Sequence, residues 1–113
     1  MSLMIGWFSF DGPFFSVEDI PENGGVYTVL SQPKENQYMM LGVEHSDNMR
    51  LSIQSHEKAK CWEENCDGKL CYMIYGSAKM DEDERIKIVK EIRMQYEMPC
   101  SPSATPEHGY WTP

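Results

Sequence analysis

The stretch from Gly42 to Ile53, GVEHSDNMRLSI, holds the side chains best equipped for chemistry. His45 carries an imidazole that takes or gives a proton near neutral pH, the property a general base needs. Arg50 carries a permanent charge on a planar fork of donors that fits an oxyanion. Glu44 stands beside them without a second carboxylate paired to it, so the two-carboxylate arrangement of an acid–base couple is missing. The plainer reading of all three is a group of solvated residues where a strand hands over to a helix. Upstream, Tyr27 closes Gly24-Gly25-Val26-Tyr27. Its plain reading is a packed strand tyrosine with a hydrogen-bonded hydroxyl.

His56, Cys61, Cys66 and Cys71 recur every five residues, a spacing that invites a metal reading. Zinc sites rest on tighter pairs, roughly two to four residues between cysteines or three to five between histidines. Cys71 also falls in a strand pattern. The reading preferred for these cysteines and Cys100 is therefore buried or half-buried free thiols, with a metal site or a disulfide as the lesser alternatives. No metal ligand is assigned. His56 reads as a helix C-terminal residue facing the helix dipole.

The elements that position these residues follow from periodicity. GVYTVL, from Gly25, is β-branched and aromatic and predicts a strand, with Val26, Thr28 and Leu30 on one face and Tyr27 and Val29 on the other. SQPKEN is a turn-rich loop, and QYMMLGV, from Gln37, is the returning antiparallel strand. Ser46 is the expected N-cap of a helix over 47–56, with Met49 and Ile53 on its buried face. Residues 59–69 read as a loop turning at Asp67-Gly68, and LCYMIY, from Leu70, as a third strand. Asp81 to Glu84 open a long helix whose core stripe is Ile86, Val89, Ile92 and Tyr96, with Ile88 beside it and Lys87, Lys90 and Arg93 flanking it, and Pro99 ends it. The order is strand, strand, helix, strand, helix. It predicts an α+β fold: a small three-stranded antiparallel sheet flanked by helices.

Ahead of it, MIGWFSFDGPFF places Trp7, Phe8, Phe10, Phe14 and Phe15 around an Asp11-Gly12-Pro13 turn. It reads as an aromatic N-terminal arm packed on the sheet edge, or as the surface of a homodimer. Met1-Ser2-Leu3 reads as an added extension without a structural role. One domain is expected over 4–100, followed by a Pro-rich C-terminal tail over 101–113.

Composition narrows the partners. The 113 residues carry 10 Lys and Arg against 18 Asp and Glu, a formal net charge of -8. Phosphate binding is driven by basic side chains that release condensed counterions, so this balance disfavours broad contact with nucleic acid or an anionic membrane. No run approaches the roughly 18 apolar residues of a membrane span, and the first residues lack a secretion-signal pattern. A cytoplasmic location is the resulting expectation.

The motifs together resemble the GIY-YIG nuclease superfamily, and among its members small stand-alone bacterial domains. Gly25-Val26-Tyr27 matches the family's first motif, and Ser46-Asp47-Asn48-Met49-Arg50-Leu51-Ser52-Ile53 matches its helix start without a gap. That register sets Gly42-Val43-Glu44 on the second motif. Gly12-Pro13, His56 with Cys61-Trp62, and Pro99-Cys100 match further landmarks. The resemblance implies a cleft holding a first-motif tyrosine near an attacking water, a second tyrosine, a helix arginine at the phosphate and a metal-binding glutamate. Tyr27 keeps its identity. Gly42 takes the second tyrosine's place, Ser52 the arginine's, and Val89 the glutamate's, with Lys90 there if the register shifts by one.

The resemblance therefore implies a catalytically degenerate GIY-YIG-like domain acting as a binding or interaction module. One alternative is a Mg²⁺- or Mn²⁺-dependent nuclease with a site rebuilt from Tyr27, His45 and Arg50, which requires these three to share a cleft. The other is a self-associating structural protein that pairs through the aromatic arm.

Overall fold

The computed structural model describes residues 2–76 and 80–100. In chain order these form β1 (Ser2–Ile5), β2 (Phe8–Phe14), a 3-10 turn at Val17–Asp19, β3 (Gly25–Lys34), β4 (Gln37–Ser46), α1 (Met49–Gln54), α2 (Ala59–Asn65), β5 (Lys69–Tyr75) and α3 (Glu82–Gln95). The expected tail over 101–113 lies outside the described residues. No helix among the described residues is long and apolar enough to cross a membrane.

The sheet has five antiparallel strands in the order β1-β2-β5-β3-β4, not three. The aromatic arm supplies the other two. Its Asp11-Gly12-Pro13 does not end a strand; it lies inside β2, where the register against β5 shifts between Asp11 and Phe14. Such a bulge is where a strand accepts proline. The supposed extension is also structural. Leu3 pairs with Phe10 and is buried with Ile5 in the core. What hid these strands is distance along the chain: β2 finds its partner β5 about sixty residues later, and no local pattern announces that pairing.

β3 sits between β4 and β5 and divides the core. Val26 and Leu30 face a layer closed by Ile88, Val89 and Ile92 of α3, together with Leu3, Ile5 and Phe10. Tyr27 and Val29 face a second layer closed by Met49, Ile53 and Trp62 from α1 and α2, together with Ile20 and Cys100. The period of two along an extended chain sends alternate residues to the two layers. Leu41 is the extra residue of a bulge in β4, between the pairs Val29–Gly42 and Leu30–Met40, and it joins the second layer.

Local chemistry sets the ends. Asn36, with φ 62°, turns the chain from β3 into β4, a left-handed position that asparagine tolerates. The expected helix over 47–56 is shorter, and its cap is Asn48, whose side chain accepts the Leu51 N–H at 3.0 Å. Ser46 instead uses its hydroxyl to accept the Asn48 N–H at 3.0 Å. The expected loop over 59–69 contains α2. Its signal was Ala59, Trp62 and Cys66 at helical spacing, all of which pack against the second layer. Asp81 caps α3 by accepting the Glu84 N–H at 2.8 Å. Ile88, expected beside the stripe, is buried while Ile86 is half-buried, and Arg85 joins the core.

Cys61 on α2 and Cys100 beyond α3 form a disulfide, which corrects the thiol expectation for that pair. Their Cα atoms stand 5.9 Å apart, within the range a bridge requires. Cys66 and Cys71 are free thiols, half-buried and buried respectively.

If β1 belongs to the core, Ile5→Ala removes a fully buried side chain and lowers unfolding free energy by about 2–5 kcal/mol in urea denaturation. A change below about 0.5 kcal/mol would return β1 to a dispensable extension.

Candidate functional site

α1 is the element that builds the surroundings of Tyr27. Its Asn48 cap fixes where the helix begins, and Met49 and Ile53 anchor it to the sheet. That placement brings Ser52 over β3, with its hydroxyl oxygen 2.8 Å from the Tyr27 hydroxyl. Tyr27 is completely buried. Burial raises its phenol pKa well above the usual 10.0; the Ser52 hydrogen bond opposes that rise, while Glu44 and Tyr72 add to it. A phenol held protonated in this way exchanges a hydrogen bond but offers no phenolate as base or nucleophile at neutral pH.

Glu44 is the direct cross-strand partner of Tyr27. Three basic groups surround its carboxylate: Lys58 Nζ at 3.3 Å, His56 Nε2 at 3.9 Å and Arg93 Nη2 at 3.9 Å. Its side chain is only 20 % exposed, so the Lys58 and Arg93 charges attract it through less water than a surface pair would. His56 Nδ1 accepts the Lys58 N–H at 3.0 Å, which leaves the neutral ring's proton on Nε2, toward Glu44. The imidazole packs on Trp62 with ring centres 4.8 Å apart and stands edge-on to Tyr27 at 6.5 Å. Trp62 is buried, and its indole N–H has no hydrogen-bond partner among the described residues.

His45 and Arg50 lie elsewhere. His45 pairs with Val26, so the alternation of β4 directs it to the α3 layer, away from Tyr27. Its Nδ1 is buried there without a hydrogen-bond partner among the described residues. Arg50 fastens the connector between β2 and β3 to α1. Its Nε donates to the Ile20 carbonyl at 2.7 Å, one Nη to the Glu18 carbonyl at 3.0 Å, and the other to Glu22 Oε1 at 2.8 Å. The Tyr27, His45 and Arg50 cleft required by a rebuilt nuclease site is thus not formed. The structure groups Tyr27 with Ser52, His56 and Glu44 instead.

The other positions singled out in the sequence are packed. Gly42 is buried opposite Val29, Val89 is buried in the α3 layer, and Lys90 is exposed. Sequence reasoning missed the Tyr27–Ser52 bond and the basic ring around Glu44, because both join residues from separate elements. It also missed Arg85, which is 6 % exposed and ties α3 to the end of β4: its Nη2 meets Asp47 Oδ1 at 2.6 Å and its Nη1 meets the Met80 carbonyl at 3.1 Å. A lone arginine inside an apolar stripe was the available signal.

Among the described residues, no three His, Cys, Asp or Glu side chains are grouped to hold a metal ion. An open hollow of about 580 Å³ lies along Asp11 to Phe15, lined by none of the Tyr27 group. No family model matches the chain, and no curated protein or solved structure matches it.

Buried acids make stability depend on alkaline pH. Burial, reinforced by Cys66, pushes the Cys71 thiol from its ordinary 9.0 up to about 12. The unfolded chain loses this proton first, so the stabilisation is complete below pH 9 and is lost as pH rises toward 12. The raised phenols of Tyr27, Tyr38 and Tyr72 act in the same direction above 10.0. Urea midpoints measured from pH 7 to 11 should fall above pH 9, and Cys71→Ala should reduce the fall between pH 9 and 10; a flat profile contradicts this account.

Proposed function

We propose that the chain is a catalytically degenerate GIY-YIG-like domain that works as a binding or interaction module. The order of the sequence motifs supports the relationship. One observation carries the loss of chemistry: the two side chains best suited to a phosphate reaction are committed to holding the fold. Tyr27 is buried against Ser52, and Arg50 is occupied by Ile20, Glu18 and Glu22. A helix arginine spent on backbone carbonyls gives little to a substrate phosphate. The acidic balance, -8 overall, further disfavours nucleic acid as the ligand. The cytoplasm is part of the same reading, and cell fractionation tests it.

Incubation with branched, single-stranded and double-stranded DNA and RNA in Mg²⁺ or Mn²⁺ should yield no cleavage. Metal-dependent cutting that Tyr27→Phe abolishes would overturn the proposal.

A second reading, self-association through the N-terminal segment, is favoured by Trp7. This residue is 79 % exposed, although Phe8 and Phe10 around it pack inward. Sedimentation across the micromolar range should then show a dimer that Trp7→Ala disperses; a monodisperse monomer ends this reading.

A further inference from the structure

The segment that follows α3 starts against the α3 layer, where the Tyr96 ring packs and its hydroxyl accepts the Gly6 N–H at 3.0 Å. Met98 is buried in the α3 layer, and Cys100 is 3 % exposed in the second layer, in the same cluster as Tyr27 and Trp62. The Cys100 N–H donates to the Leu41 carbonyl at 2.9 Å, on the strand that ends the sheet. The covalent hold is the bond to Cys61, 39 residues earlier. We propose that Cys61–Cys100 is a thiol–disulfide switch: oxidised, it docks the Cys100 end of the segment after α3 on the β4 edge; reduced, it releases that end and uncovers the second layer beneath it.

The two sulfurs are unequally placed for exchange. Cys61 is half-buried on α2, whereas Cys100 is covered. Attack therefore falls on Cys61. A thiolate of an external dithiol bonds to the Cys61 sulfur, the sulfur–sulfur bond breaks, and Cys100 leaves as a thiolate that takes up a proton. The second thiolate of the dithiol then attacks the mixed disulfide and expels Cys61 as a thiolate, which is protonated in turn. Two electrons and two protons pass to the protein pair, and the dithiol ends as a disulfide. Asn65 favours the second step: its Nδ2 donates to the Cys61 carbonyl at 2.8 Å and lies 3.5 Å from the Cys61 sulfur, where an N–H stabilises a developing thiolate.

Reduction removes the covalent hold on Cys100 and leaves its N–H bond to the Leu41 carbonyl, while Tyr96 and Met98 keep the start of the segment on the α3 layer. It also opens a cluster that already contains an unpartnered polar group, the indole N–H of Trp62. A burial that leaves such a group unsatisfied is less stable than a fully apolar one. This inference stands on the disulfide alone and holds whether or not the domain binds a ligand.

The full-length oxidised chain is digested without reductant, and amide and indole exchange is followed by NMR before and after dithiothreitol. The expected result is a cross-linked Cys61–Cys100 peptide. Reduction should then speed exchange at the Cys100 amide and the Trp62 indole at least ten-fold while the β3 amides of Tyr27 and Val29 keep their protection. Glutathione disulfide should restore the original pattern. Cys100→Ser should show the released pattern with no further response to dithiothreitol, and Cys66→Ser should switch like the parent. If Cys100→Ser fails to fold, reduction of the parent chain decides. Absence of the cross-linked peptide, unchanged protection at Cys100 after reduction, loss of protection in β3 at the same time, or loss of switching in Cys66→Ser would each overturn the assignment.

Discussion

The structure depends on β3 being paired on both edges and covered on both faces. Its backbone is bonded to β4 on one side and β5 on the other. Its side chains alternate between two separate apolar layers. A strand in that position has no slack: a one-residue slip would exchange Val26 for Tyr27 and bring a phenol to the α3 layer. Close approach at the strand's first residue adds to the constraint. A Cβ on Gly25 would stand 2.8 Å from the Tyr75 carbonyl oxygen, so glycine is what lets β3 and β5 meet there.

From this constraint follows the fate of the polar side chains. Tyr27 is held at the centre of the sheet, and burial makes a hydrogen-bond partner necessary; Ser52 supplies it. Glu44, one strand away on the same face, gathers charges from the segment between α1 and α2 and from α3. Arg50 closes the connector over α1. Each group acts in cohesion between elements.

The two layers differ in how they are secured. The α3 layer is broad, built from three helix positions and partners from all five strands. The layer over Tyr27 is closed by two short helices of six and seven residues, which are marginal on their own and depend on packing. The bond between Cys61 and Cys100 spans this side, joining α2 to the segment after α3. Covalent linkage thus sits on the face whose helices contribute least by themselves.

Local pattern determined the strand character of β3, β4 and β5, the inward turn of Met49 and Ile53, and the carboxylate-rich start of α3, because each rests on neighbours two, three or four residues apart. The side of β3 to which Tyr27 belongs was legible for the same reason. Residues 2–14 were not: a Pro inside a bulged strand looks like a turn until β5 is there to pair with it. Nor did spacing show that Cys61 would meet Cys100 rather than another cysteine, or that Tyr27 would close on Ser52 while His45 turned to the opposite layer. Those outcomes depend on which elements pack together, and only the folded chain, with its two layers formed on opposite faces of one sheet, decides them.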